Sequence, residues 1–121
     1  MMKNILIVED QAATYYSLEF ILQEEGYLPI IAKDIKTATK FIQEQTIDLV
    51  LLDFNLPDGR GDNFLYTLRQ EYHLDVPVIL MSASSQLEMT MSMVDLGADH
   101  YLHKPFSLND LLVVIKDFLV D

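Results

Sequence analysis

Five short apolar runs alternate along the chain with longer stretches in which apolar residues recur at helical spacing. The apolar runs predict β-strands at Ile5–Val8, Leu28–Ala32, Asp48–Leu52, Val76–Met81 and Asp99–Leu102. The first, third and fourth runs are nearly continuous in Ile, Leu and Val, which is typical of parallel strands buried on both faces. The longer stretches predict helices over residues 11–25, 34–45, 62–72, 85–96 and 108–119.

The order of these elements predicts an α/β domain. Strand and helix alternate five times, which indicates a doubly wound (βα)5 architecture with a five-stranded parallel sheet and right-handed crossovers. The sequence contains no linker-like stretch, no low-complexity segment and no internal repeat. We therefore expect one domain over residues 1–121, with no output domain in this chain.

Composition and charge narrow the classes of function. Among 121 residues, 8 Lys and Arg stand against 19 Asp and Glu, which gives a net charge of −11. Such acidity argues against direct binding of nucleic acid, while a hydrophobic fraction of 50% argues against a disordered acidic tail. The absence of cysteine excludes disulfides and thiolate metal sites. No apolar run is long enough for a membrane span or a signal peptide, so we expect a cytoplasmic protein that does not contact the membrane.

Candidate chemistry stands at the carboxyl ends of the predicted strands. Glu9 and Asp10 follow the first strand, and Asp53 follows the third. Ser82 follows the fourth strand, and Lys104 comes shortly after the fifth. Because open α/β sheets bind ligands beyond the carboxyl ends of their strands, we expect these five side chains to converge on one site.

The charge of this group predicts a divalent cation. Three carboxylates and one ammonium leave a local charge of −2. Oxygen ligands without His or Cys favour a hard ion, Mg²⁺ first, with Mn²⁺ as an ion of similar ligand preference. A metal and Lys104 together neutralise the oxygens of a phosphoryl group, which makes Asp53 a candidate nucleophile that forms an acyl phosphate.

The same residues belong to longer segments with an ordered pattern. The segments are Glu9-Asp10, Leu51-Leu52-Asp53-Phe54-Asn55-Leu56-Pro57-Asp58-Gly59, Ser82-Ala83 and Gly97-Ala98-Asp99-His100-Tyr101-Leu102-His103-Lys104-Pro105-Phe106. Because these segments occur in this order at the ends of the predicted strands, the chain resembles the receiver domain of two-component response regulators. The resemblance covers its whole length. We accordingly expect a flavodoxin-like sheet with the strand order 2-1-3-4-5.

The resemblance implies a metal site and a phosphorylation site. Glu9 and Asp10 would hold Mg²⁺ together with Asp53 and the backbone carbonyl of Asn55. Asp53 would accept phosphate from a phosphohistidine on a sensor histidine kinase or a histidine phosphotransfer protein. The implied function is a phosphorylation-driven conformational switch in two-component signalling or a phosphorelay. Such a domain catalyses only its own phosphorylation and dephosphorylation, so we do not expect an enzyme.

The resemblance also implies roles for residues around the phosphate. Ser82 and Lys104 would bind the phosphoryl oxygens, and the small side chain of Ala83 would leave room for the phosphoryl group. Tyr101 matches the switch aromatic of the family, which turns inward when Ser82 moves toward the phosphate. Pro105 follows the lysine in a turn, where the family implies a cis peptide bond while the sequence alone favours the trans isomer.

A second apolar stripe is predicted on each of the last two helices. The predicted core face of the last helix consists of Leu108, Leu112, Ile115 and Leu119. Val113 and Val120 point away from that face, and Met89 and Met93 lie opposite the core face of the preceding helix. In the family that the chain resembles, these helices and the strand between them form the output face. We therefore predict that this face binds a downstream protein or a second copy of the chain, the alternative being scattered exposed residues.

Four further polar residues receive ordinary structural interpretations. Asp58 and Asp62 are predicted to serve turn and cap roles rather than catalysis. His100 and His103 are predicted to be solvent-facing turn residues with no role in metal binding.

Three other classes of protein fit parts of the pattern. A Mg²⁺-dependent phosphohydrolase with an aspartyl nucleophile would want a second acid two residues after Asp53, where this sequence has Asn55. A pseudo-receiver that never accepts phosphate would have a broken acidic triad or no lysine, whereas these groups are all present. A flavin-binding domain would want a loop rich in Ser, Thr and Gly after the first strand, where Glu9-Asp10-Gln11 would repel phosphate.

Overall fold

The computed structural model describes residues 2–83 and 97–120, and its centre is a five-stranded parallel sheet. The strands are β1 (Asn4–Val8), β2 (Leu28–Ala32), β3 (Leu49–Asp53), β4 (Val78–Ser82) and β5 (His100–His103). Their order in the sheet is β2-β1-β3-β4-β5, and each neighbouring pair is parallel. All five predicted strands are present, with bounds that differ by at most two residues, and the predicted strand order is confirmed.

Four helices flank the sheet in the described part of the chain. They are α1 (Ala12–Glu24), α2 (Ile35–Glu44), α3 (Gly61–Tyr66) and α4 (Leu108–Phe118). A π-helical turn, Thr67–Glu71, continues α3, so the helix predicted over 62–72 consists of two helical geometries. The helix predicted over 85–96 lies outside the described residues. No described helix combines the length and the apolar character that crossing a membrane requires.

Alternate residues of each strand pack on opposite faces of the sheet. In β1, Ile5 and Ile7 face one hydrophobic cluster, while Leu6 and Val8 face the other. The first cluster is completed by residues of α1 and α4, among them Leu18, Leu22, Leu111 and Ile115. The second is completed by residues of α2, α3 and the π turn, among them Ala38, Phe64, Leu65 and Leu68. Each fully buried Leu or Ile contributes about 1.5–3 kcal/mol, so this alternation fixes the register of every strand.

The C-terminal helix α4 corrects one prediction about its core face. Leu111, Leu112 and Ile115 are buried, whereas Leu108 is 37% exposed because it is the first helical residue, directly after the cap. That cap is Ser107, whose hydroxyl oxygen accepts a hydrogen bond from the backbone N–H of Asp110 at 3.0 Å. Leu111 therefore takes the place in the core that Leu108 was predicted to occupy.

Arg69, in the π turn, joins the segments that precede β4 and β5. Its guanidinium donates to the backbone carbonyl of Val76 at 2.8 Å and to that of Gly97 at 3.0 Å. It also contacts the carboxylate of Asp99 at 3.0 Å. Strand β4 begins at Val78 rather than at the predicted Val76, because Pro77 has no N–H to pair in the sheet and the Val76 carbonyl binds Arg69.

The interpretation of His100 and His103 as turn residues is wrong, and for His100 the structure supports the predicted strand Asp99–Leu102 instead. Strand β5 runs from His100 to His103 and pairs with β4 through the partners Ile79 and Ser82. His100 is half-buried and His103 is exposed. The pairing with β4 extends through both positions, which is why they are strand residues.

Asp58 has the turn and cap roles predicted for it, whereas Asp62 does not cap α3, because the N-cap residue of that helix is Arg60 and no side chain caps it. Asp58 lies in a turn after β3, and its carboxylate accepts the backbone N–H groups of Ile35 and Lys36 at the start of α2. Asp62 lies in the first turn of α3 and forms an ion pair with Arg60 at 2.8 Å.

Candidate functional site

Four of the polar side chains singled out in the sequence lie at the carboxyl edge of the sheet. Glu9 directly follows β1, Asp53 and Ser82 are the last residues of β3 and β4, and Lys104 directly follows β5. Glu9, Asp53 and Ser82 are 0%, 7% and 1% exposed, and they are the buried polar or charged residues of the described part of the chain. Because burying such groups costs free energy, their collection at one edge marks a candidate site.

Three carboxylates form a cluster at this edge. One oxygen from each of Glu9, Asp10 and Asp53 lies within 4.8 Å of the other two. Asp10 is exposed, whereas the other two are buried, so the cluster opens to solvent on the side of Asp10. The cluster therefore offers an accessible set of hard oxygen donors.

Lys104 bridges the two buried carboxylates. Its Nζ donates to Glu9 Oε1 at 2.8 Å and to Asp53 Oδ1 at 3.1 Å. Asp53 Oδ1 also accepts the backbone N–H of Phe54 at 2.9 Å. One ammonium thus compensates two carboxylates, while the third, on Asp10, adds further negative charge.

Burial and the neighbouring charges shift the pKa values of Glu9 and Lys104. Desolvation by burial raises the pKa of Glu9 above its ordinary value of 4.5, and the neighbouring Asp53 raises it further, against the opposing effect of Lys104. Burial alone would lower the pKa of Lys104, but its hydrogen bond to Glu9 and the charge of Asp53 outweigh that effect and raise it above 10.5. The site therefore favours added positive charge, from a proton or from a cation.

A cavity of about 420 Å³ opens next to the carboxylates. It is lined by Asp10, Gln11, Asp53, Asn55, Leu56, Pro57, Ala83 and Lys104. Five of the residues predicted to bind metal or phosphate therefore line one cavity: Asp10, Asp53, Asn55, Ala83 and Lys104. Glu9 lies beneath it, in contact with Lys104.

The residues with predicted switch and turn roles surround Lys104. The hydroxyl of half-buried Tyr101 lies 3.5 Å from the backbone carbonyl of Ser82, and burial raises the pKa of that hydroxyl. The same Ser82 carbonyl accepts the backbone N–H of Lys104 at 2.7 Å. The Lys104-Pro105 peptide bond is cis, as the family resemblance implied and contrary to the preference expected from the sequence alone.

Gly61 is a site residue that the sequence reasoning missed. Its N–H donates to the Phe54 carbonyl at 2.7 Å, and a Cβ on it would stand 2.2 Å from the carbonyl oxygen of Asp53. A side chain at this position would therefore displace the backbone of Asp53. The sequence offered no signal for this role, because a glycine directly before a predicted helix is an ordinary N-cap residue.

The predicted partner face is described in part. Val113 and Val120 are 62% and 75% exposed, which agrees with their predicted orientation away from the core. Met89 and Met93 lie outside the described residues.

Comparison with known proteins finds relatives along nearly the whole chain. A family model described as the response regulator receiver domain matches residues 5–116. The phosphate regulon transcriptional regulatory protein PhoB of Escherichia coli is 37% identical over 117 residues, which cover 96% of this chain and 51% of PhoB. The KDP operon transcriptional regulatory protein KdpE of Escherichia coli is 38% identical over 110 residues, which cover 91% of this chain and 48% of KdpE. The chain thus spans about half the length of these curated relatives.

Solved structures share the fold at similar coverage. A response regulator receiver domain protein (CheY-like) from Methanospirillum hungatei JF-1 superposes with a TM-score of 0.89 and 32% sequence identity. The match covers 97% of this chain and 93% of that one. Together with the strand order, this likeness establishes a flavodoxin-like α/β fold.

Proposed function

The chain belongs to the response regulator receiver domain family, and on that premise we propose that it is a phosphorylation-driven switch with Asp53 as the phosphoryl acceptor. The observation that carries the proposal is the contact of one ammonium, on Lys104, with the two buried carboxylates of Glu9 and Asp53. Buried ion pairs contribute little net stability compared with apolar packing. Their concentration at the ligand-binding edge of the sheet therefore supports a chemical role.

Mg²⁺ is the proposed cofactor, and Mn²⁺ is a suitable substitute. The donor set fits because its carboxylate oxygens lie within 4.8 Å of one another and no His or Cys is among them. Glu9, Asp10 and Asp53 would hold the ion together with the backbone carbonyl of Asn55, a residue of the same cavity. When bound, the ion supplies positive charge that stabilises the transferring phosphoryl group.

The proposed reaction moves a phosphoryl group from a phosphohistidine to Asp53. A carboxylate oxygen of Asp53 attacks phosphorus, a P–O bond forms, and the P–N bond to the donor histidine breaks. The leaving imidazole keeps the electron pair of that bond and takes up a proton from solvent. Lys104 Nζ, which lies 3.1 Å from Asp53 Oδ1, is proposed to bind one phosphoryl oxygen, and Ser82 is proposed to bind another.

Conformational switching is proposed to start at Ser82 and Tyr101. Movement of the Ser82 hydroxyl toward the phosphoryl group would change the contact between the Ser82 carbonyl and the Tyr101 hydroxyl. Tyr101 would then turn inward, and phosphorylation would shift the population between two conformations.

Neither a phosphohydrolase nor a pseudo-receiver fits the site as well. Asn55 occupies the position where an aspartyl phosphohydrolase would want its second acid. A pseudo-receiver would not need Lys104 beside an intact trio of carboxylates. The proposed chemistry is therefore limited to self-phosphorylation and self-dephosphorylation, without turnover of a separate substrate.

Intact-mass spectrometry tests the proposal directly. The chain is incubated with Mg²⁺ and acetyl phosphate, a small acyl-phosphate donor, and we expect a gain of one phosphate that is lost at alkaline pH. Chelating the metal with EDTA should abolish the gain, because the carboxylate cluster then repels the donor. If the unmodified protein gains no phosphate with Mg²⁺ present, the pseudo-receiver interpretation replaces this one.

The proposed protein partners are a phosphohistidine donor and a downstream target. The donor is a sensor histidine kinase or a histidine phosphotransfer protein, since these proteins carry the phosphohistidine of this family. The target is a protein, or a second copy of this chain, that binds the face carrying Val113 and Val120. Direct nucleic-acid binding by this domain is not proposed, because its net charge is −11.

Substitution of the exposed valines tests the partner face. We expect Val113→Glu with Val120→Glu to weaken binding of the downstream protein, or self-association, at least about 10-fold, because both apolar side chains are 62–75% exposed and would become charged. Gln70→Glu, at an exposed position on the opposite side of the sheet, serves as the control. Unchanged affinity and unchanged self-association in the double variant, measured by analytical ultracentrifugation, would contradict the proposal.

A further inference from the structure

A short antiparallel ribbon links the phosphoryl acceptor to α3. Asn55–Leu56 pairs with Gly59–Arg60, and Pro57 and Asp58 form the turn between them. An isolated ribbon of two strands has little stability of its own, so its position must be set by contacts at its base and its turn. At the base, the Gly61 N–H holds the Phe54 carbonyl at 2.7 Å.

The turn of the ribbon is held by helix α2. Asp58 Oδ1 accepts the Ile35 N–H at 2.8 Å, and Asp58 Oδ2 accepts the Lys36 N–H at 3.0 Å. Such N–H groups have no partner within the helix, and the positive end of the helix dipole favours a carboxylate there. Both oxygens of Asp58 are thus used to join two segments that lie more than 20 residues apart in sequence.

Capping of α2 does not itself require Asp58. The helix has its own cap in Asp34, whose Oδ1 accepts the Thr37 N–H at 2.7 Å. That hydrogen bond lowers the pKa of Asp34, as expected for a carboxylate that is held in its charged form. Asp34 therefore stabilises the helix locally, whereas Asp58 connects the helix to the ribbon.

Gly59 shows independently how closely the ribbon approaches α2. Its φ is +157°, and a Cβ on it would stand 2.9 Å from Ile35 Cδ1. A side chain at this position would meet the terminal methyl group of Ile35, which would have to move. The junction is therefore close-packed as well as hydrogen-bonded.

We propose that Asp58 is a positioning residue for the metal site, because it fixes the ribbon whose residues Asn55, Leu56 and Pro57 form one wall of the cavity beside Asp53. The inference rests on the proposed function, in which the Asn55 carbonyl is a metal ligand. Asp58 does not line the cavity itself; it acts through the ribbon. Its loss lets the wall move and weakens metal binding, while the carboxylate cluster stays intact.

The test compares Asp58→Ala with Asp34→Ala. We expect Asp58→Ala to raise the Mg²⁺ dissociation constant, measured by isothermal titration calorimetry, about 10-fold, as is usual when support for a metal ligand is removed. Asp34→Ala removes one carboxylate from the same helix end and should change the constant less than about twofold, although it loses a helix cap. Repeating both titrations at high salt removes any difference due to long-range charge.

Two further measurements separate positioning from general destabilisation. Amide hydrogen exchange at Asn55 and Leu56, measured by NMR, should accelerate in Asp58→Ala and stay unchanged in Asp34→Ala. Asp58→Asn keeps one acceptor oxygen and is expected to give an intermediate Mg²⁺ affinity.

The outcomes distinguish this inference from the proposed function. If the unmodified chain binds Mg²⁺ and Asp58→Ala binds it equally tightly, the inference is overturned and the proposed function stands. Equal weakening in Asp58→Ala and Asp34→Ala also overturns it, because helix stability would then be the cause. If the unmodified chain binds no Mg²⁺, the proposed function fails and the inference fails with it.

Discussion

Asp53→Asn is expected to abolish the phosphate gain from acetyl phosphate, a loss of at least about 1000-fold in rate, because an amide is not a nucleophile for phosphorus. The amide has nearly the shape of the carboxylate, so it can still accept the Phe54 N–H that Asp53 Oδ1 accepts at 2.9 Å. Loss of phosphorylation with a retained fold, shown by circular dichroism, would then report on chemistry alone.

The same substitution changes the electrostatics of its neighbours. Asp53 raises the pKa of Glu9, both through a hydrogen bond and through its charge, so we expect the pKa of Glu9 to fall in Asp53→Asn. Lys104 would then have one carboxylate to compensate instead of two. The metal-free variant should therefore be at least as stable as the unmodified protein.

Asp62→Asn is the matched control for this experiment. Asp62 lies in the segment that follows Asp53 but forms its ion pair with Arg60, outside the carboxylate cluster. It should gain phosphate at the rate of the unmodified protein. A normal phosphate gain in Asp53→Asn would place the nucleophile elsewhere and would refute the assignment.

Lys104→Met is expected to destabilise the metal-free protein by about 3 kcal/mol at pH 7, measured by urea denaturation with EDTA present. Glu9 is fully buried and the Lys104 side chain is 21% exposed, so their contact at 2.8 Å is largely shielded from solvent. Removing the ammonium leaves two buried carboxylates next to each other without a compensating charge. Mg²⁺ should restore part of the lost stability, because it supplies positive charge to the same oxygens.

The loss caused by Lys104→Met should depend on pH in a defined direction. Burial raises the folded-state pKa of Glu9 above 4.5, so between 4.5 and the folded value the folded protein binds more protons than the unfolded chain. Stability from this group is therefore fully present below pH 4.5 and is lost as pH rises through the folded pKa. Lys104 opposes that rise in pKa, so its removal should extend the sensitive range to higher pH, and the variant should be most destabilised at neutral pH.

Lys116→Met provides the control for a lysine at the surface. Lys116 Nζ lies 3.1 Å from Glu25 Oε2, but its side chain is 57% exposed, so removing it should change stability by less than about 0.5 kcal/mol. Equal destabilisation by the two lysine substitutions would show that the contact between Lys104 and Glu9 contributes no more to stability than the contact of Lys116 at the surface. A pH-independent effect of Lys104→Met would contradict the assigned role of Glu9.

The sheet and its functional edge were predictable because local patterns determine them. Runs such as Ile5–Val8 are apolar on both faces, and a polar residue directly after such a run has to lie at the end of the strand. Parallel strands align those ends, so the sequence alone predicts that Glu9, Asp53 and Lys104 lie close together.

Features that depend on contacts between distant segments could not be predicted in this way. No periodicity indicates that Arg69 binds the Val76 and Gly97 carbonyls, which lie before β4 and β5. The link from Asp58 to α2 joins residues 23 positions apart, and a turn residue looks the same in sequence with or without it. The prediction that Leu108 belongs to the core face of α4 was wrong. Helical periodicity does not specify at which residue a helix first contacts the rest of the protein.

The contacts of Arg69 and Asp99 also determine where the lysine of the site stands. Asp99 Oδ2 accepts the Val78 N–H at 2.9 Å and the Arg69 guanidinium at 3.0 Å, which fixes the amino ends of β4 and β5 relative to each other. Side chains alternate along a strand, so a slip of one residue there would turn Tyr101 to the other face and move Lys104 along the sheet. Arg69 lies at the end of the sheet remote from the carboxylates. By fixing the register of β5, it helps to determine the position from which Lys104 contacts Glu9 and Asp53.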